Sequence, residues 1–368
     1  MSFQLEDAYY CADVIEKYYK GYSRIDQYMF DEKMEYMRNN YVNTLFPIED
    51  ELFSDFTMHP NDMDIEVCEI ESQKWSRMLN ITSSFIHNSS PGRNVRLAVR
   101  ERNTNKYLGF IKIGSPVINC KPRNEILGQV FTQSPEWSKS FNKTSMMGFV
   151  IVPSQPFGFN YLGGKLIASV CCSHEVREMI NKKYNMNLCF FETTSLYGSS
   201  KTTSQYDGMK PYLRHKGDTL SNFLPIINGK TYRELLEHVE SKIGKFISDD
   251  DSSKKLKRMN MIITLTKNQL KKTDRYDNFV RVLEHAKNLT ERKRYYISNY
   301  GFSNYIDVVK GRTDTLVKDE NYDKHHLENI IKWWKNKATN RYETLKTENR
   351  LRTELEVWTS GKQIDIIR

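Results

Sequence analysis

FVIVPSQPFGFNYLGGKLIASV, residues 149–170, decides how this chain folds. An apolar run meets a polar, proline-containing loop, and a glycine pair then opens a second apolar run with helical spacing. Strand, loop and helix start in that order direct backbone N–H groups at a negatively charged ligand, because the first turn of a helix leaves its amides without intrahelical partners.

Outward from this stretch, VRLAVRERNTNKYLGFIKIG at 95–114 gives two alternating runs joined by a polar, Asn-containing turn, the pattern of a β-hairpin. The spacing predicts a strand at 146–152, a helix from about 162 to 172, a helix over SHEVREMINKKY (173–184) and a strand over NLCFFE (187–192). From Thr193 to Asp218 the chain is polar, and a loop longer than about 12–15 residues is usually functional. Residues 5–40 space apolar and aromatic side chains by three and four among acids, as amphipathic helices do, and Pro47–Asp64 breaks that pattern. Beyond Thr231 the sequence reads as mostly helical. The fold class expected is α+β, a mixed sheet flanked by helices. Three parts follow: an acidic, mainly helical segment (1–72), an α/β core (73–228) and a basic, mainly helical region (229–368).

Charge separates these parts. Residues 1–72 carry 5 Lys and Arg against 17 Asp and Glu, residues 73–253 carry 24 against 14, and residues 254–368 carry 26 against 15. A basic body with an acidic N-terminal piece favours a polyanionic partner, and nucleic acid, DNA in the first place, is the one expected. No run of about 18 apolar residues suggests a membrane span, and MSFQLEDAYY has neither the basic flank nor the apolar middle of a signal peptide, so the expected location is the cytoplasm, a host's if the chain is phage-encoded. Six cysteines at 11, 68, 120, 171, 172 and 189 form no C-x-x-C, and the histidines show no H-E-x-x-H spacing, so no metal is expected.

Glu192 ends a strand just before the polar loop, where α/β folds place chemistry, and its carboxylate suits a general base or the cap of a turn. Tyr197, Tyr206 and Lys210 follow in the loop, and a phenol near a lysine can donate a proton, stack on a base or bind phosphate. Arg123 follows a strand and is expected at a phosphate or carboxylate. Lys254, Lys255, Lys257 and Arg258, then Arg292, Lys293 and Arg294, interleave charge with aromatics and suit phosphate contacts. In KWWKNK, Trp333 and Trp334 point about 100° apart on a helix, so one of them is expected to anchor that helix to the core.

The hairpin, the strand ending VIVP and the glycine loop together resemble the core of the GNAT (acetyltransferase-like) fold. In that family the loop binds the pyrophosphate of acetyl-CoA. The matching positions here are Asn160, Gly163 with its neighbour Gly164, and Lys165, which stands where the family has a small residue and would either crowd the ligand or pair with its phosphate. The resemblance implies acyl-CoA or another nucleotide-like donor. A second resemblance spans about residues 93–219: YLGFIKIGSP (107–116), RNEILG (123–128), FVIVPSQPFGFNYLGGKLIA, FFETTSLYG (190–198) and SQYDGMKPYLRHKGDT (204–219) are similar in content and order to the Druantia DruA-like proteins of bacterial anti-phage systems. At the level of the fold the core is also similar to the phage Mom proteins, which modify adenine in DNA. These resemblances imply a GNAT-like transferase acting on DNA bases or a non-catalytic DNA-binding module on the same scaffold, and a small-molecule acetyltransferase would leave the basic C-terminal region without a role.

Overall fold

The computed structural model describes residues 2–22, 25–40, 48–87, 92–128, 130–195, 204–219, 226–227, 229–248, 254–289 and 293–358. The described chain runs through α1 (Leu5–Tyr22), α2 (Ile25–Asn40), β1 (Ile65–Glu69), α3 (Ser72–Thr82), β2 (Asn94–Glu101) and β3 (Lys106–Gly114). Next come α4 (Lys121–Leu127), α5 (Pro135–Thr144), β4 (Ser145–Pro153), α6 (Phe157–Asn160), α7 (Gly163–Val170) and α8 (His174–Tyr184). Strands β5 (Phe190–Thr194) and β6 (Arg214–Asp218) precede α9 (Gly229–Ile243), α10 (Lys254–Leu270) and α11 (Tyr276–Leu289). The chain then forms β7 (Arg294–Ser298), α12 (Tyr305–Val309) and α13 (Leu327–Thr347).

Two compact units result, one of Met1–Tyr28 with Leu220–Lys293, the other of Met29–Thr219 with Arg294–Arg368. Each therefore joins stretches far apart in sequence.

In the smaller unit, α1 packs against α9, α10 and α11. Ala8, Cys11, Ala12, Ile15 and Tyr19 lie on one face of α1 at helical spacing and meet Leu235, Val239, Ile262, Ile263, Phe279 and Leu283 in a shared core. The acids of α1 find bases here: Asp7 lies 3.1 Å from both His238 and Lys242, and Arg275 pairs with Asp13 and Glu16. The buried carboxylate of Asp7 would be raised by its burial, but the N–H of Gln4 and the Lys242 ammonium outweigh that and hold it below its ordinary value.

The larger unit is built on a seven-stranded sheet of order β1-β2-β3-β4-β5-β7-β6. Among the described strands, β4 and β5 run parallel and the other neighbours are antiparallel. The hairpin expected at 95–114 is β2 and β3, turning at Asn105 with φ of 58°. Its turn is tied by the buried Glu101 carboxylate, which accepts from the Asp64 and Thr104 N–H groups and the Thr104 hydroxyl. Alternation along β2 sends Val95, Leu97 and Val99 to the core that contains α7, and Ala98 to a second core with Phe110, Trp75 of α3, Met34 and Met37 of α2, and Trp358.

Two stretches in parts expected to be mainly helical contribute strands. Ile65 and Val67 alternate in β1, which pairs with β2, and RYYIS forms β7 between β5 and β6. Short β-branched and aromatic runs beside longer helical patterns escape a period count.

Candidate functional site

At the end of β4 the chain enters the glycine loop, and Leu162, in the left-handed region with φ of 53°, starts α7. The loop is supported by α13. Trp334, fully buried, donates its indole N–H to the Tyr161 carbonyl at 2.8 Å, and the rings of Tyr161 and Tyr342 stack at 5.4 Å. Trp334 is thus the anchoring member of the pair.

The residues expected to hold a nucleotide-like donor are engaged inside the protein. Asn160 is fully buried, and its amide clamps the Arg352 backbone, donating to the carbonyl at 2.7 Å and accepting from the N–H at 3.2 Å. A Cβ at Gly163 would lie 2.6 Å from the Phe157 ring, and one at Gly164 would lie 2.6 Å from Gln205 Oε1. Both glycines therefore serve close packing, Gly163 under an aromatic ring and Gly164 under the loop that carries Gln205. The Lys165 ammonium donates to the carbonyls of Gln205 and Asp207 at 3.1 and 2.5 Å. Burial and then Lys337 push its pKa down, with Asp207 opposing.

Glu192 on β5 sits in a closed polar cluster. Its Oε1 accepts from Arg123 Nη1 at 2.8 Å and its Oε2 from the Tyr295 hydroxyl at 2.5 Å, with Glu192 and Arg123 both fully buried. Burial pushes the Glu192 carboxyl up, against the pull of Arg123 and Tyr295, and pushes the Tyr295 phenol well up. Arg123 also donates to the Val117 and Ile118 carbonyls at 2.9 and 2.7 Å and lies within 4.6 and 4.8 Å of the Phe131 and Phe141 ring centres. Of the phosphate or carboxylate expected at Arg123, the structure supplies the carboxylate, and the nucleic-acid contact is corrected: a guanidinium with no exposed surface is out of reach of a phosphate.

A second cluster stands half open beside it. Asp207 accepts from the Tyr296 hydroxyl at 2.8 Å, from Arg294 Nη1 at 2.7 Å and from the Ser204 N–H at 2.9 Å. Burial works against its charge, but these donors prevail and hold the carboxyl below its usual value. Because successive residues of a strand face opposite ways, β7 presents Tyr295 to Glu192 and Tyr296 to Asp207. Tyr206, buried, sets its ring against Tyr296 at 5.3 Å, edge on, and burial raises its phenol. Lys210 is exposed nearby in the chain, and the edge strand β6 carries the exposed His215 and Lys216. The arrangement offers one ionised, half-exposed carboxylate paired with Arg294, suited to accept a hydrogen bond.

Among the other expected residues, Tyr197 and Arg292 lie outside the described residues. Arg258 is buried in the smaller unit and donates to the Ile247 carbonyl at 3.0 Å, which takes it from the expected phosphate-binding set. Lys254 and Lys257 are exposed on α10, Lys255 lies 4.8 Å from the centre of the Tyr232 ring, and Lys293 is half-buried. Asp207, Tyr295 and Tyr296 were not singled out by sequence, although Asp207 stands inside SQYDGMK and the tyrosine pair inside RKRYY. Among the described residues, no group of three His, Cys, Asp or Glu side chains is placed to hold a metal ion, and no helix is long and apolar enough to cross a membrane.

Residues 38–210 match the family model described as Druantia protein DruA. The matched span runs from the end of α2 through β5 and includes Asp207, and it stops short of β6 and β7. No curated protein and no solved structure matches the chain.

Proposed function

We propose that this chain, whose residues 38–210 match the Druantia protein DruA model, is a DNA-acting protein of phage–host conflict that uses a GNAT-like core as a binding scaffold. One observation carries the reading. Asn160 and Lys165, which a nucleotide-like donor would need, are spent on internal contacts, while Lys210, His215 and Lys216 remain exposed, His215 with its ring 5.4 Å from that of Tyr296, which holds Asp207. DNA phosphates would meet Lys210 and Lys216, and the Asp207 carboxylate would accept from a base amino group.

A transferase is the second reading, and a specific feature favours it. The parallel register of β4 with β5 covers Ser145–Gly148, and β5 ends at Thr194 while β4 runs on to Pro153, so the end of β4 that leads into the glycine loop lies outside that pairing, where a donor would enter.

Fluorescence anisotropy with duplex DNA across a salt series tests the first reading. Lys210→Glu with Lys216→Glu should weaken binding and lower the log–log salt slope by about 1.8, the loss of roughly two phosphate contacts. An unchanged slope would remove this edge from the interface. Mass spectrometry of nucleosides from cells expressing the protein, together with thermal shift in acetyl-CoA, decides the transferase reading: a modified base or a ligand-induced shift would establish it over the scaffold.

A further inference from the structure

Like charges rarely face each other directly across two strands, because the pair destabilises the sheet. In β2 and β3, Arg96 and Lys112 are direct cross-strand partners, one step from the apolar pair Ala98 and Phe110. Both cations lie on the side of the sheet that meets Trp75. Lys112 is 1% exposed, so its ammonium is held inside the protein. Its Nζ lies 3.0 Å from His87 Nε2, and since an ammonium only donates, the imidazole nitrogen must be the acceptor. The Arg96 guanidinium lies 5.4 Å from the centre of the Trp75 ring, and His87 sets its own ring edge-on to the same indole at 5.6 Å. Trp75 is itself fixed, donating its N–H to the Leu97 carbonyl at 3.2 Å.

Three basic groups therefore converge at one place. The charges bearing on His87 are Lys112 and Arg96, and the charge bearing on Lys112 is Arg96, with no carboxylate in either set. Arg96 Nε is buried and finds no acceptor among the described residues. Burial followed by the two cations pushes His87 down to about 4, and burial followed by Arg96 pushes Lys112 down. Buried cations are ordinarily paired, and an unpaired one is strongly unfavourable.

We propose that Arg96, Lys112 and His87 form a binding site for a phosphate group, with the Arg96 guanidinium and the Lys112 ammonium as its donors and Trp75 as its wall. Arginine supplies planar N–H donors and lysine a point charge, the combination that recognises phosphate oxygens, and a bound anion would convert a repulsive pair into a bridged one. His87, relieved as the acceptor of Lys112, would become a third donor by taking up a proton. The site shares no residue with the Asp207 cluster or the β6 edge, so its failure would leave the DNA reading standing, and the reverse holds too.

The test is proton NMR titration of the His87 ring in the full-length protein, with inorganic phosphate, a nucleoside monophosphate and a short single-stranded oligodeoxynucleotide as probes at constant ionic strength. Phosphate should raise the His87 pKa and raise Tm relative to chloride, since a ligand that binds only the folded state stabilises it. Lys112→Met should abolish both responses while leaving the unliganded protein at least as stable as wild type, because it deletes a buried, repelled charge. Arg96→Gln serves as a second variant, with the same loss of response expected. An oligonucleotide that evokes the same His87 response places a strand phosphate in the site; a response to the small phosphates alone assigns it to a free phosphate group. No response of His87 to any probe, or a response that persists in both variants, overturns the proposal.

Discussion

Replacing Glu192 by Gln separates a structural carboxylate from a catalytic one. The substitution keeps the shape and an oxygen for the Tyr295 hydroxyl, but it leaves the Arg123 guanidinium, fully buried beside the stacked rings of Phe131 and Phe141, without its counter-charge. Removing one partner of a buried ion pair costs about 3–5 kcal/mol. Arg123 keeps the Val117 and Ile118 carbonyls, which places the expected loss at the lower end, about 3 kcal/mol. In a unit of more than about 200 residues each kcal/mol lowers Tm by roughly 2 °C, so a fall of about 6 °C is expected. Urea unfolding followed by circular dichroism measures it, and the double variant Arg123→Met with Glu192→Met should recover much of the loss because no lone charge is left inside. A Glu192→Gln protein as stable as wild type within about 0.5 kcal/mol would refute this reasoning and return Glu192 to the list of groups that act on a substrate.

Three other outcomes are expected. Lys33, fully buried with its ammonium 2.7 Å from the Asn80 carbonyl, is pushed down to about 7 by burial; between that value and its unfolded value near 10.4 the unfolded chain binds more protons, so stability should rise with pH by up to about 1.4 kcal/mol per unit. Denaturation of wild type against Lys33→Met from pH 7 to about 9 isolates this rise, and parallel curves would exclude it. Burial holds His174 and His325 down to about 4, so as pH falls from the unfolded value near 6.5 toward that figure each should remove stability, and a Tm flat across this interval would show that neither is protonated only on unfolding. Deleting residues 1–22 strips α1 from the core of α9–α11, and far-ultraviolet circular dichroism should report loss of helix beyond α1 itself; a loss equal to α1 alone would mean that the three helices stand without it.

Local patterns were readable where one period ran long enough. The β2–β3 hairpin, the strand–loop–helix at 149–170 and the helix at 173–184 appear within a few residues of their expected bounds. The sequence did not reveal which polar groups would be used up inside. Arg123 and Glu192 are 69 positions apart, and Tyr295 lies a further 103 beyond Glu192, so no spacing announces their contact. The charge division along the chain was plain, yet its resolution within the smaller unit, Asp7 with Lys242 and Arg275 with Asp13, depends on tertiary packing of helices whose polar faces read as ordinary solvated surface. Likewise RKRYY looked like a nucleic-acid motif, whereas β7 spends Arg294 and Tyr296 on Asp207 and Tyr295 on Glu192.

The place of β7 in the sheet bears on how the protein is made. Synthesis delivers β5 and β6 first, then more than seventy residues that belong to the other unit, and only afterwards the strand that lies between them. Until that strand leaves the ribosome, β5 has an open edge, Glu192 lacks the Tyr295 hydroxyl and Asp207 lacks both Tyr296 and Arg294. The nascent sheet is therefore exposed to mispairing for the whole time the intervening helices are being translated. A gene fragment ending at residue 210, where the family match ends, would lack β6 as well as β7, and recombination that preserves the protein has to carry both strands along with the core they close.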